Sequence, residues 1–195
     1  MGDTVNDKTF YDIIRKNLFS GVLTQGQVDG INSILNEWRS RNLSDLRWLA
    51  YMFATAFHET NKRIQPVREA YYLGEPGPAE NYRKTLRYYP YYGRGLVQLT
   101  WEDNYKKMGK VLGVDLVNSP DKALEYEISV QIMFEGMLRA ETGVGDFTYK
   151  SLEDYFNSTT DDPVNARRVI NGVDRAEEVA QLHNKFLGAL VAANV

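Results

Sequence analysis

Residues 46–60, LRWLAYMFATAFHET, decide the fold that the sequence predicts. Apolar side chains recur there at helical spacing, and Trp48 and Met52 widen the apolar surface beyond a single stripe. Ser44 stands just before the segment and can cap a helix. We therefore expect a central, well-buried helix that leads directly into His58-Glu59-Thr60. The main apolar stripe consists of Leu46, Leu49, Ala50, Phe53, Ala54 and Phe57.

Helical patterns continue on both sides of this segment. Residues 9–19 predict one helix, and Thr24 followed by Gln27 has the spacing of a capping box at the start of another. Residues 61–100 contain many Gly and Pro residues, and they predict loops or short strands, with a small sheet around residues 96–99. Further helices are predicted at residues 101–112, from Ser119-Pro120 to about Ala140 before Gly143, from Asp162-Pro163 to Ile170, and at residues 175–191.

The chain shows no internal repeat, low-complexity tract or linker. We therefore expect residues 1–195 to form a single domain of the mainly α class, with a small β element near residues 66–100. A domain of this length can bury a hydrophobic core of ordinary size.

The composition excludes several kinds of chemistry. The 195 residues include no Cys and two His, so thiol nucleophiles, disulfides and zinc fingers are excluded, and we expect neither a metal nor a cofactor. The net charge of −3 argues against a nucleic-acid partner. No apolar run reaches the length of about 18–20 residues that a membrane span needs, so we expect no membrane insertion. The first thirty residues lack the pattern of a secretory signal peptide.

Glu59 is the acidic residue that carries most information. It follows the most apolar helix, and apolar neighbours disfavour the charged form of a carboxyl group, which suits a general acid. The alternative is a surface carboxylate that caps the helix or pairs with Lys62 or Arg63. The pair His58-Glu59 is not a zinc protease motif, because Lys62 replaces the required second histidine. His58 is interpreted as a positioning hydrogen-bond partner or as a packed histidine.

Glycoside hydrolysis by two-acid chemistry needs a second carboxylate. Glu69 is the nearest candidate beyond the helix, and Glu75 and Glu80 are weaker ones. Inverting enzymes separate the two groups by about 6.5–9.5 Å and retaining enzymes by about 5–5.5 Å. The connection from Glu59 to Glu69 is compatible with either spacing.

Residues 91–100, YYGRGLVQLT, form an unusual segment. Gly93 and Gly95 permit tight turning around Arg94. If the following residues are extended, Gln98 and Thr100 share one face, where an amide and a hydroxyl can hold a water or a sugar hydroxyl. The alternative interpretation is a polar strand edge.

Eight of the thirteen tyrosines lie between residues 71 and 105. Flat amphipathic rings fit a carbohydrate groove, although they can equally pack against the core. A platform for single-stranded nucleic acid is a third interpretation, since it combines aromatic and basic residues. The basic residues nearby are Arg68, Arg83, Lys84, Arg87 and Arg94.

Four motifs, taken together, resemble glycoside hydrolase family 19, which comprises chitinases and chitinase-like endolysins of bacteriophages. They occur in family order over roughly residues 45 to 175, and the second motif is long and specific. The motifs are Phe57-His58-Glu59-Thr60, residues 92–101 with Asn104-Tyr105, Asn118-Ser119-Pro120-Asp121 and Ile170-Asn171-Gly172.

The resemblance implies a lysozyme-like fold of two helical lobes around a cleft, and catalysis with inversion. It implies that Glu59 is the general acid and that Thr100 positions the attacking water. The short segment around Glu69 resembles phage-type members, so Glu69 is assigned as the general base. The missing cysteines also separate the chain from the disulfide-bearing plant enzymes. The substrate-binding residues implied are His58, Tyr92, Gln98, Asn104 and Asn171.

The leading hypothesis is an endolysin-type glycosidase that cuts β-1,4 bonds of peptidoglycan. It would act as a monomeric catalytic domain with no separate wall-binding domain. Because no secretion signal or chitin-binding module is recognised, we expect synthesis in the host cytoplasm and action on the cell wall after release. The alternatives are a chitinase acting on poly-N-acetylglucosamine and a non-catalytic saccharide-binding virion component.

Overall fold

The computed structural model describes residues 6–139 and 147–193, and its secondary structure within them is mainly helical. The α-helices of this part are α1 (Asp7–Leu18), α2 (Gln25–Ser40), α3 (Leu46–Glu59), α4 (Gly77–Arg83), α5 (Glu102–Leu112), α6 (Tyr126–Met137) and α7 (Ala176–Ala193). Short 3-10 helices lie at Tyr71–Leu73, Pro120–Leu124, Leu152–Asp154 and Asn165–Val169. The predicted mainly α class is confirmed.

A two-stranded antiparallel sheet supplies the small β element. Strand β1 (Val67–Arg68) pairs with β2 (Arg94–Gly95), with Val67 opposite Gly95 and Arg68 opposite Arg94. This pairing brings the loop after α3 beside the glycine-rich segment.

Helix α3 is the centre of the core, as its sequence predicts. Every residue from Leu49 to Phe57 is buried. The helix packs most extensively against α7, where Phe53 and Phe186 stack with ring centroids 5.4 Å apart. Helix α1 also packs on α7, and the Asn6 N–H donates to the Ala193 carbonyl at 2.6 Å. The helix cap is Asp45 rather than Ser44, because the Asp45 carboxylate accepts from the Arg47 N–H at 3.0 Å.

The predicted capping box of α2 is present. Thr24 Oγ1 accepts from the Gln27 N–H at 3.2 Å, and Gln27 Oε1 accepts from the Thr24 N–H at 2.8 Å. Gln27 Nε2 also donates to the Lys62 carbonyl at 3.0 Å. The start of α2 therefore supports the loop that follows α3.

The small sheet lies earlier in the chain than predicted. Strand β2 ends at Gly95, and the backbone then doubles back so that Arg94 and Leu99 exchange hydrogen bonds of 2.9 and 3.2 Å. Gln98 has φ of 53°, so residues 96–98 form a turn and not a strand. The alternation argument for residues 97–100 was therefore wrong, because tertiary contacts turn this segment.

Three helical segments also differ from their predictions. The segment beginning at Pro120 is a 3-10 helix that breaks at Glu125, whose ψ of 134° is extended, before α6 begins. Ala140 and Gly143, the expected end, lie outside the described residues. Residues 165–169 are a 3-10 helix, and α4 occupies a stretch expected to be loop or strand. Pro78 lies in the first turn of α4, where its missing N–H costs no helical hydrogen bond.

None of the helices in the described ranges is both long and apolar enough to span a membrane.

Candidate active site

A groove crosses the molecule at the carboxyl end of α3. It consists of two adjoining cavities of about 350 and 340 Å³, and Glu59, Gln98 and Thr100 line both. The first half is completed by Tyr88, Val97, Leu99, Trp101, Asn104, Phe147, Thr148, Ile170 and Asn171. The second half is completed by His58, Asn61, Arg68, Glu69, Ala70, Tyr71, Tyr72 and Gly93. Glu59 therefore lies where the two halves meet.

Glu59 is the last residue of α3, and its side chain is 18% exposed. Its Oε1 accepts a hydrogen bond of 2.8 Å from Nη1 of Arg167, whose side chain is buried. Arg167 Nε in turn donates to the Asp174 carbonyl at 2.9 Å. The partner of Glu59 is thus a buried arginine rather than Lys62 or Arg63. Sequence reasoning missed Arg167, which is 108 residues away and carries no local signal.

Glu69 follows β1 and is held at both carboxylate oxygens. Oε1 accepts from the Tyr88 hydroxyl at 2.8 Å, and Oε2 accepts from the Gly93 N–H at 2.8 Å. Burial, followed by the hydrogen bond and charge of Glu69, raises the pKa of Tyr88 to about 12. Tyr88 therefore keeps its proton near neutral pH and remains a donor. Sequence reasoning did not single out Tyr88 from the other tyrosines.

The two weaker candidates for the second carboxylate do not line this groove. Glu75 binds the buried Arg83 through two hydrogen bonds of 2.6 and 2.7 Å, and Glu80 binds it at 3.2 Å. Arg83 Nη1 also donates to the Glu69 carbonyl at 3.1 Å. Both acids therefore anchor an arginine that holds the backbone of Glu69.

Gln98, Thr100 and Asn104 form a connected set in the groove. Gln98 Nε2 donates to the carbonyls of Val67 and Gly95 at 3.0 and 3.1 Å, so both of its N–H groups are used within the fold. Thr100 Oγ1 donates to the Gln98 carbonyl at 2.7 Å, and Asn104 Nδ2 donates to the Thr100 carbonyl at 2.9 Å. The Thr100 hydroxyl consequently offers lone pairs to an incoming O–H group, such as that of a water.

The other predicted binding residues have different positions. Asn171 and His58 line opposite halves of the groove, and His58 Nδ1 lies 3.7 Å from a Glu178 carboxylate oxygen. Tyr92 is absent from both linings. Its buried ring packs against the guanidinium groups of Arg94 and Arg83, 3.7 and 4.8 Å from the ring centroid. The structure therefore does not bring Tyr92 to the groove.

The aromatic cluster is divided between groove and core. Tyr71, Tyr72, Tyr88 and Trp101 line the groove, whereas Tyr105 is fully buried. The rings of Tyr88 and Trp101 lie 4.9 Å apart, and Trp101 is 42% exposed. These two rings form a solvent-exposed aromatic surface on which the face of a sugar can stack.

The basic residues of this region do not form one continuous exposed track. Arg83 and Arg94 are buried, and they form ion pairs with Glu75 and Asp121, respectively. Because a nucleic-acid platform requires accessible cations along its length, this arrangement favours the carbohydrate interpretation.

The match to a family model agrees with this geometry. Residues 47–137 match the model of glycoside hydrolase family 19 that is described as chitinase class I. The resemblance to family 19 is confirmed. The matched residues include Glu59, Glu69, Gln98, Thr100 and Asn104.

Curated relatives match over short segments. Chitinase 8 of Oryza sativa subsp. japonica is 39% identical over 75 residues, which is 38% of this chain and 28% of that protein. Chitinase 11 of the same plant is 62% identical over 32 residues, 16% of this chain and 12% of that protein. Inactive chitinase-like protein 1 of Hevea brasiliensis is 43% identical over 56 residues, 26% of this chain and 18% of that protein. The chain thus spans less than a third of the length of these relatives.

A solved structure extends the likeness to the whole fold. Chitinase C of Streptomyces griseus HUT6037 aligns with 96% of this chain and 78% of its own, with a TM-score of 0.57 and 18% identity. The shared property is the fold, and with it the arrangement of two helical lobes around a cleft.

Proposed function

We propose that the chain is a glycoside hydrolase that cuts β-1,4 bonds of a polymer of N-acetylated sugars, with bacterial peptidoglycan as its substrate. The observation that carries this proposal is the presence of two separately held carboxylates, Glu59 and Glu69, in one half of one groove. The family match adds independent support for glycosidase chemistry.

In the proposed mechanism, Glu59 protonates the glycosidic oxygen and Glu69 removes a proton from the attacking water. Inversion requires a water between the base and the sugar, and the Thr100 hydroxyl has free lone pairs to hold it. The donors on Glu69, Tyr88 and the Gly93 N–H, are neutral, so they orient the carboxylate without supplying a counter-charge. Substrate-binding roles are proposed for Gln98, Asn104, Asn171 and His58, which all line the groove.

Arg167 complements the role of Glu59. Once Glu59 has given up its proton, the resulting carboxylate keeps a hydrogen bond of 2.8 Å from a permanently charged guanidinium. Because Arg167 is buried and tied to the Asp174 carbonyl, it holds this carboxylate in one position. We assign Arg167 as a positioning residue for Glu59.

The choice of peptidoglycan over chitin is supported by the composition and by the segment that carries Glu69. The chain has no cysteine, and it reaches Glu69 ten residues after Glu59, which resembles phage-type members. We propose an endolysin that acts as a monomeric catalytic domain, is made in the host cytoplasm and reaches the wall after release. The related proteins named above are chitinases, so chitin is the second candidate substrate.

The test is a turbidity assay on outer-membrane-permeabilised cells, with chitin oligomers assayed in parallel. The wild-type protein is expected to clear the cells, and Glu59→Gln is expected to lower kcat by about 10²–10⁴-fold because general acid catalysis contributes about that much. Circular dichroism of Glu59→Gln should match the wild type. Full activity of this variant would refute the mechanism.

Mass spectrometry of digested peptidoglycan identifies the bond that is cut. Reducing-end muramic acid indicates a lysozyme-type cut, and reducing-end glucosamine indicates a glucosaminidase. Cleavage of chitin alone would favour the second candidate substrate. Binding of the saccharide without cleavage of the strands would instead favour a non-catalytic protein. One relative, named an inactive chitinase-like protein, supports this alternative.

A further inference from the structure

A third cavity, which we call the side pocket, opens beside the groove. It measures about 640 Å³ and shares His58 and Asn61 with the groove half that contains Glu69. It lies at the ends of α1 and α3 and the start of α7. Its charged lining residues are Lys62, Asp174, Arg175, Glu178 and Lys185.

The side pocket combines an apolar base with a charged rim. Phe57 is buried, and Leu18 and Leu182 are partly buried beside it. The rim carries three cationic residues and two acidic residues. Of these, Arg175 and Glu178 pair with each other at 3.1 Å.

Two cations of the rim are free to bind an added anion. Within residues 6–139 and 147–193, neither Lys62 nor Lys185 forms an ion pair, and both are exposed. Asn61 and Lys62 have φ of 50° and 69°, in the left-handed backbone region that is unfavourable for non-glycine residues. Such residues cluster at ligand-binding sites. This strained loop begins two residues after Glu59, and Asn61 lines both the groove and the side pocket.

We propose that the side pocket binds the stem peptide of peptidoglycan, with Lys62 and Lys185 pairing with the peptide's carboxylates. This inference rests on the proposed function. A stem peptide branches from the glycan strand and carries free carboxylates beside aliphatic side chains, which matches an apolar base whose rim has three cationic residues against two acidic ones. Chitin has neither a peptide nor a charge, so it has no group to pair with Lys62 and Lys185. The side pocket thereby makes the enzyme selective for peptide-bearing strands.

The test compares two forms of one soluble glycan. The first form carries its stem peptides, and the second has had them removed by an N-acetylmuramoyl-L-alanine amidase. The variant is the double substitution Lys62→Gln and Lys185→Gln, which alters two exposed side chains outside the catalytic machinery. The matched control is Lys106→Gln with Lys110→Gln, two exposed lysines of α5 that line neither the groove nor the side pocket.

The variant is expected to lose about tenfold in kcat/KM on peptide-bearing strands and less than about twofold on stripped strands, because only the former carry the carboxylates of the peptide. The lactyl carboxylates that the amidase frees stay on the sugar itself. The control should change neither value by more than about twofold. An equal loss on both forms, or no loss on peptide-bearing strands, would overturn the inference while leaving the proposed function intact. If the wild-type protein cuts neither form, the proposed function itself fails.

Discussion

The two carboxylates of the groove have partners of different kinds. Glu59 receives its hydrogen bond from a buried cation, Arg167, whereas Glu69 receives two from neutral donors. A hydrogen bond in which one partner is ionised is stronger than one between two neutral groups. These three hydrogen bonds therefore fix the orientation of the two carboxylates. The cation beside Glu59 favours the carboxylate that forms once the proton has been transferred, whereas the apolar surroundings expected from the sequence would have favoured the protonated form.

Tyr88→Phe tests the support of the proposed base. The substitution keeps the ring beside Trp101 and removes only the donor to Glu69. We expect kcat to fall about tenfold, the effect of losing one hydrogen bond to a charged group, while KM changes less than about twofold. Steady-state kinetics on soluble glycan strands measure both values.

Tyr82→Phe is the control for this variant, since Tyr82 is an exposed tyrosine that lines neither half of the groove. A change in KM alone for Tyr88→Phe would show that its hydroxyl serves binding and not the base.

Most of the groove's proposed residues could be named from the sequence, because they occur in contiguous motifs. Glu59, Gln98 and Thr100 are examples. Arg167 and Tyr88 could not be named, since their contacts join residues that are 108 and 19 positions apart and depend on how the elements pack. The position of Tyr92 in the second motif does not bring its ring to the groove: the ring packs against Arg94 and Arg83, although the adjacent Gly93 lines the groove.

At the scale of elements, the β1–β2 pair and the turn after it place most of the groove's polar groups. Glu69 follows β1, and its N–H donates to the Gly93 carbonyl at 2.7 Å, directly before β2. The turn then returns Gln98 to the carbonyls of Val67 and Gly95. One small backbone unit therefore carries the proposed base and the water-holding residues together.

Gly95→Ala tests how tightly this unit is packed. Gly95 has φ of 84°, and an added Cβ would lie 2.6 Å from Ser129 Oγ and 2.9 Å from the Ala123 carbonyl. We expect the free energy of unfolding to fall by about 2–4 kcal/mol, the combined cost of a left-handed alanine and of overpacking. Urea unfolding measures this change.

The control is Gly113→Ala, because Gly113 has φ of 67° and open space around it. Its expected loss is about 1–2 kcal/mol, from the backbone alone. Equal losses in the two variants would show that contacts with Ser129 and Ala123 do not matter.

Helices whose ends are marked by capping residues or by a glycine could be predicted from the sequence. Helices whose ends depend on tertiary contacts could not. The capping box of α2 and the glycine after α5 mark those helices in the sequence. By contrast, the break at Glu125 has no local signal. After it, the Ser129 hydroxyl of α6 accepts a hydrogen bond from the Leu96 N–H at 2.8 Å, so long-range contacts orient α6.

At the scale of the whole molecule, the interface between α3 and α7 contains a buried histidine. His183 contacts the rings of Tyr51 and Phe156, and in the described part of the chain its Nδ1 has no hydrogen-bond partner. Burial lowers the pKa of His183 from its ordinary 6.5 to about 4. As pH falls below 6.5, the unfolded chain therefore binds a proton that the folded chain does not.

His183→Leu should remove this source of acid sensitivity. We expect the difference in free energy of unfolding, variant minus wild type, to increase by about 2 kcal/mol when the pH is lowered from 7 to 5. The reason is that only the unfolded wild type is stabilised by protonation of His183. Urea unfolding at the two pH values measures the difference. His58→Gln, which changes the half-buried histidine of the groove, is the control, and a pH-independent difference for His183→Leu would contradict the assignment.

The enclosure of α3 by the first and last helices has a consequence for synthesis on the ribosome. The apolar surface of α3 is complete early in translation, but α7, which covers it most extensively, emerges last among the described elements. Arg167 emerges only shortly before α7. A nascent chain therefore exposes the apolar surface of α3 through most of its elongation, and such surfaces favour aggregation. Translation products that end before α7 would keep this surface exposed and be prone to capture by chaperones.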